Sequence, residues 1–256
     1  MVPRVLTIAT SDSGGGAGIQ ADLKAFAAAG AHGMSVLVAL TAQNTAAVTA
    51  IHELPPEFVR AQLDAVFSDI GVDAAKTGML FSRTLIETVA AYLRERPVPL
   101  VVDPVMVASS GAKLLEDDAV AALVGDLFPL ATVVTPNVSE AKALVGADGT
   151  QRELTERLHA LGASAVIVTG GHGDEAVDHL FDGRKHLEIP VERHEIPATH
   201  GAGCTHSASL AALLARGESL ADAARGAAAA ASRAVAQGLV GLGAGEGPVD
   251  VLGLTR

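Results

Sequence analysis

The chain has 256 residues, 49% of them apolar, with no Trp and one Tyr. Its core is therefore built mostly from Ala, Val and Leu, enough for one large domain or two small ones. With 18 basic against 29 acidic residues the net charge is −11, which argues against a nucleic-acid or anionic-membrane surface, while a local basic pocket for a phosphorylated ligand stays open. One cysteine excludes an intrachain disulfide and fits a reducing cytoplasm.

Met1-Val2-Pro3-Arg4 leads straight into a strand-like Val5–Ala9, without the n-region, h-region and cleavage site of a secretory leader. The uncharged stretch 25–51 is interrupted by Gly30, His32, Gly33, Gln43 and Asn44. It reads as a helix end, a turn and a buried strand, so a soluble protein is expected. Short apolar runs then alternate with helical patterns. Val5–Ala9 precedes a helix near Ile19–Ala29, Met34–Leu40 one near Glu57–Ile70, and Ala74–Thr77 one near Thr84–Arg94. Leu100–Val102 precedes Asp117–Leu127, Thr132–Thr135 precedes Ser139–Leu144, and Ala165–Val168 follows a helix near Glu153–Leu161. Continuous Val/Ile/Leu runs belong to strands covered on both faces, and this alternation predicts a mostly parallel sheet with helices on both sides. After Gly173 the runs Val177–Phe181, Lys185–Ile189 and Glu192–Ile196 predict short strands and an antiparallel edge. Two Ala-rich helices follow, near Cys204–Ala215 and Ala221–Gln237. With no linker or internal repeat, residues 1–256 read as one three-layer α/β/α domain.

In such sheets ligands lie beyond the carboxyl ends of the strands. The first such end, Thr10-Ser11-Asp12-Ser13-Gly14-Gly15-Gly16-Ala17-Gly18, meets the loose dinucleotide fingerprint, but no acid follows between Asp22 and Glu53 to hold a ribose. The chain also has no Gly-Lys-Ser/Thr, so a dehydrogenase and a Walker P-loop are both disfavoured. Asp103, emerging from a buried strand, suits a cation or a phosphate-bound metal, and equally a cap before a turn. Asn137 and Glu140 share one face if a helix begins at Pro136; they suit the surroundings of hydrated Mg²⁺ or a helix N-cap with a first-turn acid. Gly170-Gly171-His172-Gly173 is a loop that could approach a nucleotide closely, or simply a turn. In Thr199-His200-Gly201-Ala202-Gly203-Cys204-Thr205, glycines at the mouth of a helix let N–H groups converge on an anion, and a thiol there has its thiolate favoured. The same letters also describe a glycine-rich connection followed by a small buried residue.

Taken in order, these segments resemble the ribokinase-like kinases, and within them the hydroxymethylpyrimidine/phosphomethylpyrimidine kinases of thiamine biosynthesis. The resemblance runs from Leu6 to about Pro248. It is carried by Ser11–Lys24, Thr41-Ala42-Gln43-Asn44-Thr45, Lys76-Thr77-Gly78-Met79-Leu80, Val102–Met106, Thr135-Pro136-Asn137 and His200–Thr205. It implies a ribokinase-like sandwich and an ATP- and Mg²⁺-dependent phosphotransferase, with a small pyrimidine and ATP as its ligands and a homodimer as its assembly. By the same resemblance Gly201, Ala202, Gly203 and Cys204 would form the anion hole for the transferring phosphoryl group, with Cys204 as proton acceptor. Gln43, Asp22, Gly18 and Met79 would line the pyrimidine pocket. Asn137, Glu140, Thr169, Gly170 and Gly171 would meet the nucleotide, and Asp103 and Glu140 would organise Mg²⁺, partly through water. The chain departs from the family pattern at Thr169, where a lysine is usual, at Thr10, where glycine is usual, and at His206, where an apolar residue is usual. A pyridoxal kinase and a non-catalytic pyrimidine binder are the alternative readings.

Overall fold

A computed structural model of the chain describes residues 1–106, 117–170 and 176–254. Nine strands form one sheet: β1 (Arg4–Asp12), β2 (His32–Gln43), β3 (Val48–Glu53), β4 (Ala74–Thr77), β5 (Leu100–Val102), β6 (Val133–Val134), β7 (Val166–Val168), β8 (Val177–Phe181) and β9 (His186–Pro190). Their spatial order is β3-β2-β1-β4-β5-β6-β7-β8-β9. The six strands from β2 to β7 pair in parallel, β8 and β9 form the expected antiparallel edge, and β3 pairs antiparallel with β2 at the opposite edge. Sequence reading did not foresee β3. Conversely, the segment 192–196, flanked by Pro190 and Pro197, forms no strand; it lies against the last helix, where Ser232 Oγ donates to the Glu192 carbonyl.

Alternating side chains of the buried strands feed two cores. Leu6, Ile8, Val36, Val102 and Val134 pack with Leu63, Leu85, Val89, Phe128 and Leu154 on one face. That face carries α2 (Pro56–Ala65), α3 (Arg83–Glu95), α4 (Asp117–Ala122), α5 (Val138–Val145) and α6 (Gln151–Ala160). Val5, Val101, Val133 and Ile167 pack with Phe26, Leu210, Ala211 and Ala227 on the other, under α1 (Gly18–Ala28), α7 (Ala202–Ala215) and α8 (Leu220–Ala236). Each mid-strand residue faces a helix layer whichever way it points, so the strands read as unbroken apolar runs. The chain leaves β1 for α1 on one face and leaves β4 for α3 on the other. Adjacent strands whose continuations part in this way open a crevice at their carboxyl ends. Among the described residues no helix is long and apolar enough to cross a membrane.

Candidate active site

Polar chemistry gathers at that crevice. Lys76, the third residue of β4, is fully buried against α1, and its Nζ donates to both oxygens of Asp22 at 3.0 and 3.1 Å. Asp22 also accepts from Thr7 Oγ1 at 2.6 Å, so the buried carboxylate is ringed by donors as its burial requires. The Lys76 ammonium lies 3.6 Å from Asp103 Oδ2, and that oxygen accepts from Ser207 Oγ of α7 at 2.8 Å. Burial alone would push Lys76 down; Asp22, Cys204 and Asp103 around it reverse this and hold it above its ordinary value, so the lysine is a permanent cation. Burial pushes the Asp22 carboxyl up, and Lys76 and Thr7 oppose it. Gly78 leaves room for this arrangement: a Cβ there would lie 2.9 Å from Lys76 Nζ.

Cys204, half-buried in the first turn of α7, shares this environment. Its thiol is pushed up to about 12 by burial and by Asp22 and Asp103, against the opposing pull of Lys76 and the Gly18 backbone N–H. The helix mouth therefore does not favour the thiolate as the sequence suggested, because desolvation and two nearby carboxylates outweigh it. Gly201 caps α7 with φ 84°, and a Cβ there would lie 1.9 Å from the Gly16 carbonyl oxygen, so only glycine fits. The Ala202 N–H donates to the Thr199 carbonyl at 3.0 Å. The first-turn N–H groups of Gly203 and Cys204 have no intrahelical acceptor, and the space a Cβ would take at Gly203 is open to 4 Å. The Ala202 amide is engaged within the turn, while those of Gly203 and Cys204 lie at the helix mouth where an anion could meet them.

Around this centre the other expected residues take separate stations. Gly18 opens α1 with φ 55°, its missing Cβ leaving clearance to the Thr10 carbonyl. Thr10 Oγ1 donates to the carbonyl of buried Met79 at 3.1 Å. Gln43, at the end of β2, has its Oε1 held by Thr41 Oγ1 at 3.1 Å. It lines a cavity of about 290 Å³ with Asn44, Thr45, Ala46, His200, Gly245 and Glu246. Asn137 and Glu140 form a reciprocal capping box at the start of α5: the Glu140 N–H donates to Asn137 Oδ1 at 2.9 Å, and the Asn137 N–H to Glu140 Oε2 at 3.0 Å. Burial pushes Glu140 up to about 8, with Asp103 adding to the shift and the Asn137 amide opposing it. Thr169 and Gly170 follow β7. The Thr169 N–H donates to the Pro136 carbonyl, and the Gly170 N–H to Asp178 Oδ1 at 2.9 Å. Asp178 Oδ2 lies 3.3 Å from buried His206 Nε2, which makes His206 part of the packing beneath that turn. Gly171 and His172 lie outside the described residues.

Lys76, Ser207, Asp12 and His200 belong to the site and were not singled out as functional in the sequence. A lysine inside an apolar strand run is itself a signal, since it must find a carboxylate. Its partner Asp22 is 54 residues away and cannot be read off by spacing. Among the described residues no three His, Cys, Asp or Glu side chains gather as a metal site. Asp103 with Glu140 still fits a hydrated Mg²⁺, which takes one or two protein carboxylates and keeps waters. Burial and the neighbouring Asp103 both disfavour charge on Glu140, a cost that a cation bound there would relieve.

The phosphomethylpyrimidine kinase family model matches residues 12–250. A hydroxymethylpyrimidine/phosphomethylpyrimidine kinase of Rhizobium meliloti is 49% identical over 97% of both chains. A thiamine biosynthesis bifunctional protein of Geobacter sulfurreducens is 51% identical over 96% of this chain, which spans about half (51%) of that longer protein. Among solved structures, an ADP complex of Bacillus subtilis pyridoxal kinase superposes with a TM-score of 0.91 at 38% identity, covering 100% of this chain and 99% of that one. With a match over nearly its whole length, the chain belongs to the phosphomethylpyrimidine kinase family.

Proposed function

We propose that the chain is an ATP-dependent kinase of thiamine biosynthesis. It phosphorylates the hydroxymethyl group of 4-amino-5-hydroxymethyl-2-methylpyrimidine and then the resulting monophosphate. The observation that carries this reading is the meeting of Asp22, Lys76, Asp103 and Cys204 beside the glycine-capped mouth of α7, within a chain 49% identical to a named pyrimidine kinase.

Phosphoryl transfer asks the protein mainly for alignment and charge stabilisation. The Gly203 and Cys204 amides would hold the transferring phosphoryl oxygens at the positive end of α7. Gln43 would offer its amide N–H and remaining acceptor capacity to the aminopyrimidine edge, with Gly18, Asp22 and Met79 completing the pocket. Asn137, Thr169, Gly170 and Gly171 would meet the nucleotide, and Asp103 and Glu140 would hold Mg²⁺, partly through water. When bound, that ion would neutralise phosphate charge. The substrate hydroxyl oxygen attacks the γ-phosphorus, the bond to the β-phosphate oxygen breaks, and the hydroxyl proton passes to the Cys204 sulfur. Proton acceptance requires the thiolate, which the resting protein populates sparsely. The reading extends to a homodimer and a cytoplasmic location, the former checked by sedimentation.

Phosphorylation of the pyrimidine, its monophosphate and pyridoxal, compared side by side, tests the assignment. Turnover of both pyrimidines above pyridoxal is expected. The close superposition on a pyridoxal kinase favours a second reading, which gains if pyridoxal turnover is far the higher. Binding of the pyrimidine without any product at high enzyme concentration would instead identify a non-catalytic binder.

A further inference from the structure

Asp12 ends β1 with its side chain buried, and its carboxylate gathers four donors. Oδ1 accepts from the Gly14 N–H at 2.8 Å; Oδ2 accepts from the Gly16 N–H at 3.0 Å, the Ala17 N–H at 2.8 Å and His200 Nε2 at 3.2 Å. Three of these donors are the glycine-rich loop that leads into Gly18. The fourth stands one residue ahead of Gly201, the cap of α7. The two segments also touch backbone to backbone, since the Gly16 carbonyl occupies the space where a Gly201 Cβ would be. A Cβ at Gly16 would in turn strike the His200 ring, at 2.2 Å from Cδ2.

Each half is anchored from behind. Lys24 Nζ of α1 donates to the Gly15 carbonyl at 2.7 Å, and Gln20 spans the Asp12 N–H and Ser11 Oγ. His200 exchanges backbone bonds with the closing segment, its N–H donating to the Gly247 carbonyl and its carbonyl accepting from the Val249 N–H. A side chain that joins two otherwise braced loops sets the distance between them. The bond across that contact is charge-assisted, and such bonds are about twice as strong as neutral ones.

We propose that Asp12 and His200 are a pair of positioning residues that fixes the pyrimidine-side loop, residues 13–18, against the phosphate-binding mouth of α7. The inference rests on the kinase reading for its catalytic consequence, though not for its structural one. If the pair sets this distance, losing it misaligns the hydroxyl and the phosphoryl group without touching the nucleotide turn at Thr169–Gly170. An error of about 1 Å in such alignment costs on the order of a hundredfold in rate.

The test uses full-length His200→Leu, His200→Gln and Asp12→Asn, read by steady-state kinetics and by amide hydrogen exchange without ligands. His200→Leu is expected to lower kcat at least tenfold, leave the KM for ATP within twofold, and speed exchange at residues 13–17, which carry no substitution. His200→Gln, whose amide N–H can replace Nε2–H, is expected to recover at least a third of kcat and the slow exchange. Asp12→Asn is expected to speed exchange at residues 199–204 as well as at 13–17, and it serves alone if His200→Leu does not fold. Exchange effects confined to the substituted loop, or kcat in His200→Leu within twofold of the parent, would overturn the proposal. A parent protein inactive on the pyrimidine would sink the kinase reading, while the exchange experiment would still decide whether the loops are coupled.

Discussion

Cys204 concentrates the chemistry of this molecule in one atom. Its sulfur sits where a helix end and Lys76 favour charge, yet burial and two carboxylates hold the proton on, up to about 12. Three consequences are measurable. Because the free protein must lose that proton before the sulfur can accept another, kcat/KM is expected to climb with pH from 7 to 9 without reaching a plateau. Cys204→Ala is expected to lower kcat by about 10²-fold or more and to flatten that climb, with pyrimidine binding kept. Alkylation by iodoacetamide, unambiguous because the chain has a single cysteine, is expected to be slow at pH 8 and still accelerating at pH 10. Thr169 is the second residue of interest: it supplies no charge where relatives are expected to have lysine, so Thr169→Lys is expected to lower the KM for ATP, read by initial rates.

Between elements, the buried Lys76–Asp22 pair is the contact that joins β4 to α1. Removing one member leaves a fully buried charge without a partner, so Lys76→Met is expected to cost about 3–5 kcal/mol in urea unfolding, with part recovered in Lys76→Met/Asp22→Leu. Gly201→Ala is expected to cost about 2 kcal/mol or more in the same measurement, since it forces a Cβ both into the left-handed region and against the Gly16 carbonyl. Which elements could be read from the chain follows from burial. Val5–Ala9, Ala74–Thr77 and Leu100–Val102 are enclosed on both faces and announce themselves as apolar runs. Val48–Glu53 lies on an edge with Thr49, Ala50, His52 and Glu53 exposed, so it carries no such run and went unseen. The segment 192–196, Glu-Arg-His-Glu-Ile, carries no apolar alternation, its neighbour β9 ends at Pro190 and no ladder reaches it. The capping box at Asn137 and Glu140 satisfies the bland expectation for those residues in full. It leaves Asn137 Nδ2 outside the box, while the Glu140 carboxylate also accepts from the Met106 backbone. Lys76 and His200 escaped notice because their partners, Asp22 and Asp12, are remote in sequence.

Across the whole molecule, one sheet runs from β3 to β9 with a core on each face, and both cores draw on the same strands. We read residues 1–256 as one cooperative unit on that ground. Thermal unfolding is expected as a single transition whose calorimetric and van't Hoff enthalpies agree. ADP or the pyrimidine at a hundred times its Kd is expected to add about 2.7 kcal/mol and raise Tm by about 5–10 °C. Acid tests the same whole. Asp12 is held below its ordinary value of 3.8: burial pushes it up, and bonds from His200, Ala17 and Gly14 overcome that. Its stabilising contribution is therefore complete above about pH 4 and is lost as pH falls through the depressed value. Asp12→Asn is expected to show a flatter fall in stability below pH 4.

The bond between Asp12 and His200 spans 188 residues, and this has a bearing on how the molecule is made. During synthesis all nine strands and helices α1–α6 emerge before α7, so the glycine-rich loop lacks its partner until the last quarter of the chain is made. Contacts of such long sequence separation form late, because their loop-closure entropy is met only when the rest has condensed. On the kinase reading the ability to hold a phosphoryl group thus arrives last, as a checkpoint: α7 and α8 also cover one face of the sheet, so a chain truncated before them lacks both a reaction centre and the packing of that face.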